Sequence, residues 1–448
     1  MNLMHNGLKQ RTASLRQDII NISRTGLIFV ILANVLAKIC ATLGSIFIVR
    51  VLTESDYGFY ARVINDYSMI YILEDFGCRV AMMQFRGENF KDKRLRDAYF
   101  VEPFRMALLF GLAVGTIILV SPLFYPYGST EEAVTTQMLA LVPVLTIANY
   151  FLIYNLVTLS ENRKYAGLYF CQTFLQYSFL VAGAFFYGKT GAVLSGYAYN
   201  IVLLAIAVIV SKKELHFDWR SKVLDKAQKL AFLKFAVGAQ LNNTINDLLS
   251  IFDIFMLGRI ITDDTVIAGY KVAATIPISL RYVSTSIMTY ASPYFARNID
   301  NISWVRKNAA KMIAGCTLFC GAITAAAIAL ARPIIILVFG EVYSGSVKCF
   351  IILMIAYFFA GSFQIPAANV IFTQHKVKVN IIITVIANIA NCLLNYYLIK
   401  RSGAVGAAVA TCSVSILASV LAMVSMIMVI RTREAETSKV MDRVDNET

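Results

Sequence analysis

Arg50 to Tyr60 reads RVLTESDYGFY, and the string returns in the second half of the chain as RIITDDTVIAGY, Arg259 to Tyr270. A second pair, GAVLSGYAY from Gly191 and GAVGAAVAT from Gly403, lies at nearly the same separation, so the offsets span only 209 to 212 residues. Self-similarity at a fixed period marks a duplicated structural unit. Both copies sit between long apolar runs, so the duplicated unit is a set of membrane helices. Two such halves enclose a cavity where they meet, an arrangement typical of transporters.

Composition points the same way. The 448 residues are 58% hydrophobic and 15% charged, with a mean hydropathy of +0.65, far more apolar than a soluble domain. About twenty apolar residues cross the hydrocarbon core. Twelve such runs are read near 25–50, 60–84, 103–125, 137–159, 166–187, 191–211, 231–258, 267–295, 311–331, 348–372, 379–399 and 404–430. The expected fold is therefore an all-α polytopic membrane protein, with about 12 transmembrane helices in two pseudo-symmetric six-helix lobes around a central cavity. Its expected segments are an N-terminal lobe at 1–211, a cytoplasmic linker at 212–229, a C-terminal lobe at 230–430 and a cytoplasmic tail at 431–448. Six spans per half bring both halves in from the same side, which makes the repeat parallel about an axis along the membrane normal.

Basic loops stay cytoplasmic. With the N-terminus inside, the inner segments hold 29 of the 41 Lys and Arg and the outer segments 8, which places both termini in the cytoplasm. The net charge of +14 is spread over these inner loops without a nucleic-acid-binding motif beside it, so its expected partners are anionic membrane lipids and not nucleic acid. The first apolar stretch follows a polar basic segment and is long enough to span, unlike a cleavable signal peptide. The eight Cys lie mostly within apolar helices without metal-ligand spacing, and His5, His216 and His375 all fall outside the spans; no metal centre is expected.

Ionisable groups inside spans carry the chemical signal, because a charge at mid-membrane costs several kcal/mol. Asn34, Lys38, Thr42 and Ser45 line one helical face of span 1, and Gln240, Asn243, Asp247 and Ser250 line one face of span 7. The repeat offset makes Lys38 and Asp247 equivalent, and Arg281 lies at similar depth in span 8, four residues after Pro277. Span 11 carries Thr384, Asn388, Asn391 and Asn395, and an offset of 212 matches the first two to Gln172 and Gln176 of span 5. Amides both donate to and accept from sugar hydroxyls, and they also tie helices together; the matched stripes favour a wet cavity. In span 2, Arg62 and Asp66 read as a structural ion pair, followed by Glu74, Asp75 and Arg79.

RVLTESDYGFYARV followed by ILEDFGCRVAM resembles the first two helices of Wzx-type polysaccharide exporters, the O-antigen flippases of the multidrug/oligosaccharidyl-lipid/polysaccharide superfamily. DIFMLGRIITDDTVIAGYKVAATIP resembles that family's seventh-to-eighth helix passage, and NVIFTQHKVKVNIIITVIANIANCLLNYYLIKRSGAVGAAVAT its tenth-to-twelfth. The resemblance implies a transporter, not an enzyme, that moves a polyprenyl-diphosphate-linked oligosaccharide across a bacterial inner membrane by alternating access. It makes Lys38 and Arg281 the candidates for the diphosphate, and Asn34, Gln172, Gln176, Asn243, Asn388 and Asn391 those for the glycan. Asp247 is the candidate for coupling to an H⁺ or Na⁺ gradient, with no other cofactor expected. A polysaccharide polymerase and a chain-length regulator are the implied protein partners. A cation-coupled multidrug exporter of the same superfamily is the alternative, although Lys38 and Arg281 disfavour a cationic cargo. A membrane glycan polymerase is disfavoured by outer loops too short for a catalytic site.

Overall fold

The computed structural model describes residues 27–73, 75–215, 224–261 and 263–447. All regular structure among them is helical. Fourteen α-helices run in chain order: α1 Leu27–Val51, α2 Glu54–Tyr71, α3 Cys78–Glu88, α4 Lys93–Val120, α5 Thr130–Gln137, α6 Val142–Thr158, α7 Asn162–Val210, α8 Lys226–Ile260, α9 Asp264–Arg297, α10 Ile302–Ala329, α11 Ala331–Phe339, α12 Val347–Phe359, α13 Ile365–Thr373 and α14 Val377–Glu447. A π-helical turn at Ala360–Gln364 joins α12 to α13. Residues 216–223 of the expected linker lie outside the described residues.

Seven helical passages are long and apolar enough to cross a membrane by length and composition. Two of these, Asn162–Val210 and Val377–Ala435, are 49 and 59 residues long, enough for two crossings each. Tyr187–Gly188 interrupts the first and Ser402–Gly403 the second, with Gly188 at φ 59° and Gly403 at φ 56°, a conformation that glycine adopts without strain. Three more passages, α2 with α3, α8 and α9, carry charges and amides among their apolar residues. The described residues thus make twelve passages, as the hydropathy pattern predicts.

These two interruptions fix the repeat register better than the sequence does. Past each bend the chain doubles back so tightly that a Cβ on Gly191 would come within 2.1 Å of the Gly183 carbonyl oxygen, and one on Gly406 within 2.0 Å of that of Leu398. Gly188 therefore corresponds to Gly403, Gly191 to Gly406 and Gly183 to Leu398, an offset of 215 where the string match reads 212. Gln176 then falls opposite Asn391, and Thr173 opposite Asn388. Earlier in the repeat the offset of about 210 holds, because α1 ends at Val51 and α2 begins at Glu54, while α8 ends at Ile260 and α9 begins at Asp264.

The chain forms two compact units. One comprises the described residues of Met1–Ile48 with Ile70–Leu241, the other Val49–Met69 with Asn242–Thr448. In the first unit α3, α4, α6 and α7 pack together around Phe100, Phe151, Leu156, Leu203 and Phe232, all fully or nearly fully buried. In the second, α9, α10, α12, α13 and α14 pack together, with Val305, Ala367, Val370, Ile371 and Ala418 at their centre. Polar side chains begin several helices. Asp92 accepts from the Arg94 and Leu95 amides, Ser129 from Glu132 and Asn301 from Trp304, each capping an otherwise unpaired N–H. Asp263 caps α9, and hydrogen bonds from Thr265 hold its carboxyl below the usual carboxylate range.

Between α2, which ends at Tyr71, and α3, which begins at Cys78, the helix is broken, with Phe76 at φ 57° and Gly77 at φ 78°. Gly77 also lies against α8, where an added Cβ would sit 2.0 Å from the Ala236 carbonyl oxygen. Gly77→Ala is expected to lower stability by about 2 kcal/mol or more, from backbone strain and overpacking together. Gly87→Ala, with nothing within 4 Å of its Cβ, should be neutral. Thermal unfolding of the two purified variants side by side checks the contrast.

Candidate functional site

The break before α3 exists because Asp75 replaces helix hydrogen bonds with its own. Its Oδ1 accepts from the Gly77 amide at 3.0 Å and its Oδ2 from the Arg79 amide at 2.9 Å, so a single buried carboxylate caps the restart of the helix. Gln240 of α8 donates to the Ile72 carbonyl at 2.8 Å and satisfies the other side of the break. One turn on, the Arg79 guanidinium lies 3.7 Å from Asp75 and stacks 5.1 and 4.9 Å from the ring centres of Tyr150 and Tyr154, within the range of a cation–π contact.

Arg79 opens onto a cavity of about 310 Å³ inside the first unit. Lys38 of α1 enters it, together with Gln172, Thr173 and Gln176 of α7. Tyr150, Tyr154 and Tyr169 form an aromatic wall, continued by Tyr165, whose ring lies 5.8 Å from each of Tyr154 and Tyr169. Among the described residues the side-chain amide oxygen of Gln172 is buried without a hydrogen-bond partner, and an amide oxygen accepts from a hydroxyl. Among the described residues the lining carries two cationic side chains, Lys38 and Arg79, beside one carboxylate that is committed to its cap. Such a site attracts an anion, while its amides and rings suit a polyhydroxylated one.

Of the residues singled out from sequence, Lys38, Gln172 and Gln176 are brought together here. Asn34 lies one turn before Lys38 and returns its amide to the Val30 carbonyl; Thr42 and Ser45 likewise bond their own helix, a common use of such side chains in apolar helices. Arg79 is an addition, since from sequence it stands only beside Glu74 and Asp75 in span 2 and not among the site candidates. The signal was present in EDFGCR, where an Asp two residues before a mid-span Gly marks a break and turns the next Arg one helical turn away.

The remaining candidates lie in the second unit. Arg281 is exposed on α9, and Asn243 is half-buried on α8. Asn388 donates to the carbonyls of Ile245 and Thr384. Asn391 is buried and donates to Asp253 at 2.9 Å. Asp247 lies on α8, and its side chain is outside the described residues.

Asp253 gathers more donors than any carboxylate expected from sequence. Asn391 and Asn395 donate to its Oδ1 at 2.9 and 2.7 Å, and Tyr270 and Thr411 to its Oδ2 at 3.0 and 2.5 Å. Four helical segments, α8, α9 and both arms of α14, thus converge on one buried carboxylate. Around the end of α8, Arg62 reaches Asp264 at 2.7 Å, Arg259 reaches Asp66 at 2.8 Å and Asn65 donates to the Ile251 carbonyl. Arg62 and Asp66, expected from sequence to pair with each other, thus have Asp264 and Arg259 as partners.

Residues 23–299 match the profile of a family described as Polysaccharide biosynthesis protein. No curated protein sequence matches the chain. Among solved structures, the lipid II flippase MurJ in an inward closed conformation superposes with a TM-score of 0.68 at 15% identity, over 91% of this chain and 90% of that one. An inward-facing multidrug resistance transporter of the MATE family, in the MOP superfamily, gives 0.67 at 12% identity over 89% and 96%. The Vibrio cholerae MATE transporter VcmN in its bent form gives 0.55 at 15% identity over 95% and 99%. At these identities the likeness is one of fold, shared with the flippase and both transporters.

Asp75→Ala removes two backbone caps and the carboxylate beside Arg79. It is expected to cost about 1–3 kcal/mol of stability. A double-mutant cycle with Arg79→Gln, read by thermal unfolding, should show coupling between the two positions; strict additivity would mean that the guanidinium and the carboxylate do not interact.

Proposed function

Because the chain belongs to the polysaccharide biosynthesis protein family, we propose that it carries a polyprenyl-diphosphate-linked oligosaccharide from the cytoplasmic to the outer leaflet of a bacterial inner membrane. The observation that carries this reading is the cavity in which Lys38 and Arg79 stand beside Gln172, Gln176 and a wall of tyrosines. A diphosphate takes the cations, and the first sugars lie against rings and amides. The cargo is an O-antigen or similar surface-polysaccharide repeat unit, as in lipopolysaccharide assembly, and its handling implies a polymerase and a chain-length regulator downstream. A lipid II flippase among the proteins of like fold supports a lipid-linked cargo. The multidrug transporters of like fold suggest a cationic drug instead, and two cations in the cavity oppose it. The reading makes the chain a transporter and not an enzyme, with both termini cytoplasmic on the 29-to-8 division of basic residues.

Alternating access follows from the physics of the cargo. Its charged head cannot enter hydrocarbon, whereas its tail need not leave it. Modest binding through stacking and single hydrogen bonds allows release on the far side, and Arg281 would offer the diphosphate a second cation along its route. Lys38→Gln and Arg79→Gln should each weaken binding of inorganic diphosphate about tenfold, the value of one charge-assisted hydrogen bond. The double variant should reach the membrane yet display no surface glycan, with lipid-linked intermediate accumulating on the cytoplasmic leaflet. Normal surface glycan in that variant would sink the reading.

Coupling to a cation gradient belongs to the same proposal. Asp247 was its expected carrier; the described residues support Asp253, whose carboxylate could combine with the side-chain oxygens of Asn391, Asn395 and Thr411 if the amides rotate. This all-oxygen donor set fits a hard cation, and a proton equally suits the carboxylate. Sodium, compared with choline at equal ionic strength, should raise the thermal stability of the parent protein and not that of Asp253→Asn. For a proton, the pH dependence of stability near neutrality should flatten in the variant. Identical responses of parent and variant to both would exclude Asp253 as the carrier.

A further inference from the structure

Beside the cationic cavity, along the same seam between α1 and α7, runs a second cavity of about 620 Å³ with an apolar lining. On α1 it is bounded by Leu36, Leu43 and Phe47, and on α7 by Phe170, Val181 and Phe185. The two cavities use neighbouring faces of the same pair of helices: Lys38 and Ala41 turn to the polar one, Leu36, Ile39 and Leu43 to the apolar one. Tyr177 borders both. Its ring lies directly over Gly44, where an added Cβ would stand 2.3 Å from the tyrosine Cδ1, so the absence of a side chain at 44 seats the partition.

We propose that this apolar groove holds the first isoprenoid units of the substrate's tail while the diphosphate occupies the Lys38 and Arg79 cavity next to it, a deepening that rests on the function proposed above. An amphiphile whose charged and hydrocarbon parts meet at one bond fits a site whose charged and hydrocarbon parts meet at one wall. Inside a bilayer the groove gains little from hydrophobicity, since lipid is as apolar as leucine. It works by orientation. The tail leaves along the seam toward hydrocarbon, and the head stays against α3, α6 and α7 without drawing the chain across the tyrosines and glutamines.

The test uses the full chain in nanodiscs and geranylgeranyl diphosphate carrying a diazirine on its first isoprene unit. Photolabelled peptides are located by mass spectrometry. Labels are expected within 36–47 and 170–185, falling about tenfold or more in Lys38→Gln with Arg79→Gln. Val181→Trp, which fills the groove, should move the labels elsewhere while inorganic diphosphate still competes for the cationic cavity. Groove labelling that ignores the loss of both cations would show ordinary lipid contact and overturn the proposal. Cation-dependent labelling at other segments would overturn the groove and leave the diphosphate site standing. No labelling of the parent protein by the probe at any segment would overturn the proposed function and the groove with it.

Discussion

A backbone that leaves the helix inside a membrane must find its hydrogen bonds within the protein, because lipid offers none. The break before α3 meets that constraint through Asp75 on one side and Gln240 on the other. Much of the cavity depends on this local solution. The carboxylate that caps α3 also fixes the start of the turn from which Arg79 projects, and Gly77 brings α8 close enough for Gln240 to reach. Charge, helix direction and packing at this point are consequences of one satisfied break.

The second unit solves a related problem with a different device. Asp253 is buried among amides and hydroxyls from helices far apart in the chain. Such a carboxylate orders its donors, and their shared acceptor sets the register between α8 and the first arm of α14. Where the first unit spends its acid on backbone, the second spends it on side chains, and only the latter arrangement can be rearranged by rotating an amide.

Hydropathy made the helical class and the twelve passages legible, since partitioning into lipid depends on composition over about twenty residues. The repeat was legible too, yet its second anchor was three residues out. A string match weighs GAV against GAV, whereas the bends are set by the backbone angles of Gly188 and Gly403. The polar stripe of α1 located Lys38, and the amides of α7 located Gln172 and Gln176. Arg79 was not legible as a cavity residue, because periodicity is counted along an unbroken helix and α2 and α3 are interrupted. Asn391 read as one more amide on a stripe; its attachment to Asp253 depends on a contact across 138 residues that no local pattern encodes.

The boundaries of the two units fall within helices. α1, α2 and α8 each run through one, at Ile48 and Val49, at Met69 and Ile70, and at Leu241 and Asn242. Arg62 and Asp66 therefore belong to a unit most of which has yet to be made when they leave the ribosome, and the partner of Asp66, Arg259, follows 193 residues later. At ordinary translation rates that is a wait of roughly 10–40 s. Throughout it, a guanidinium and a carboxylate one turn apart on α2 have each other as nearest opposite charge. Their neighbourhood in sequence serves the nascent chain before their separate partners serve the finished one.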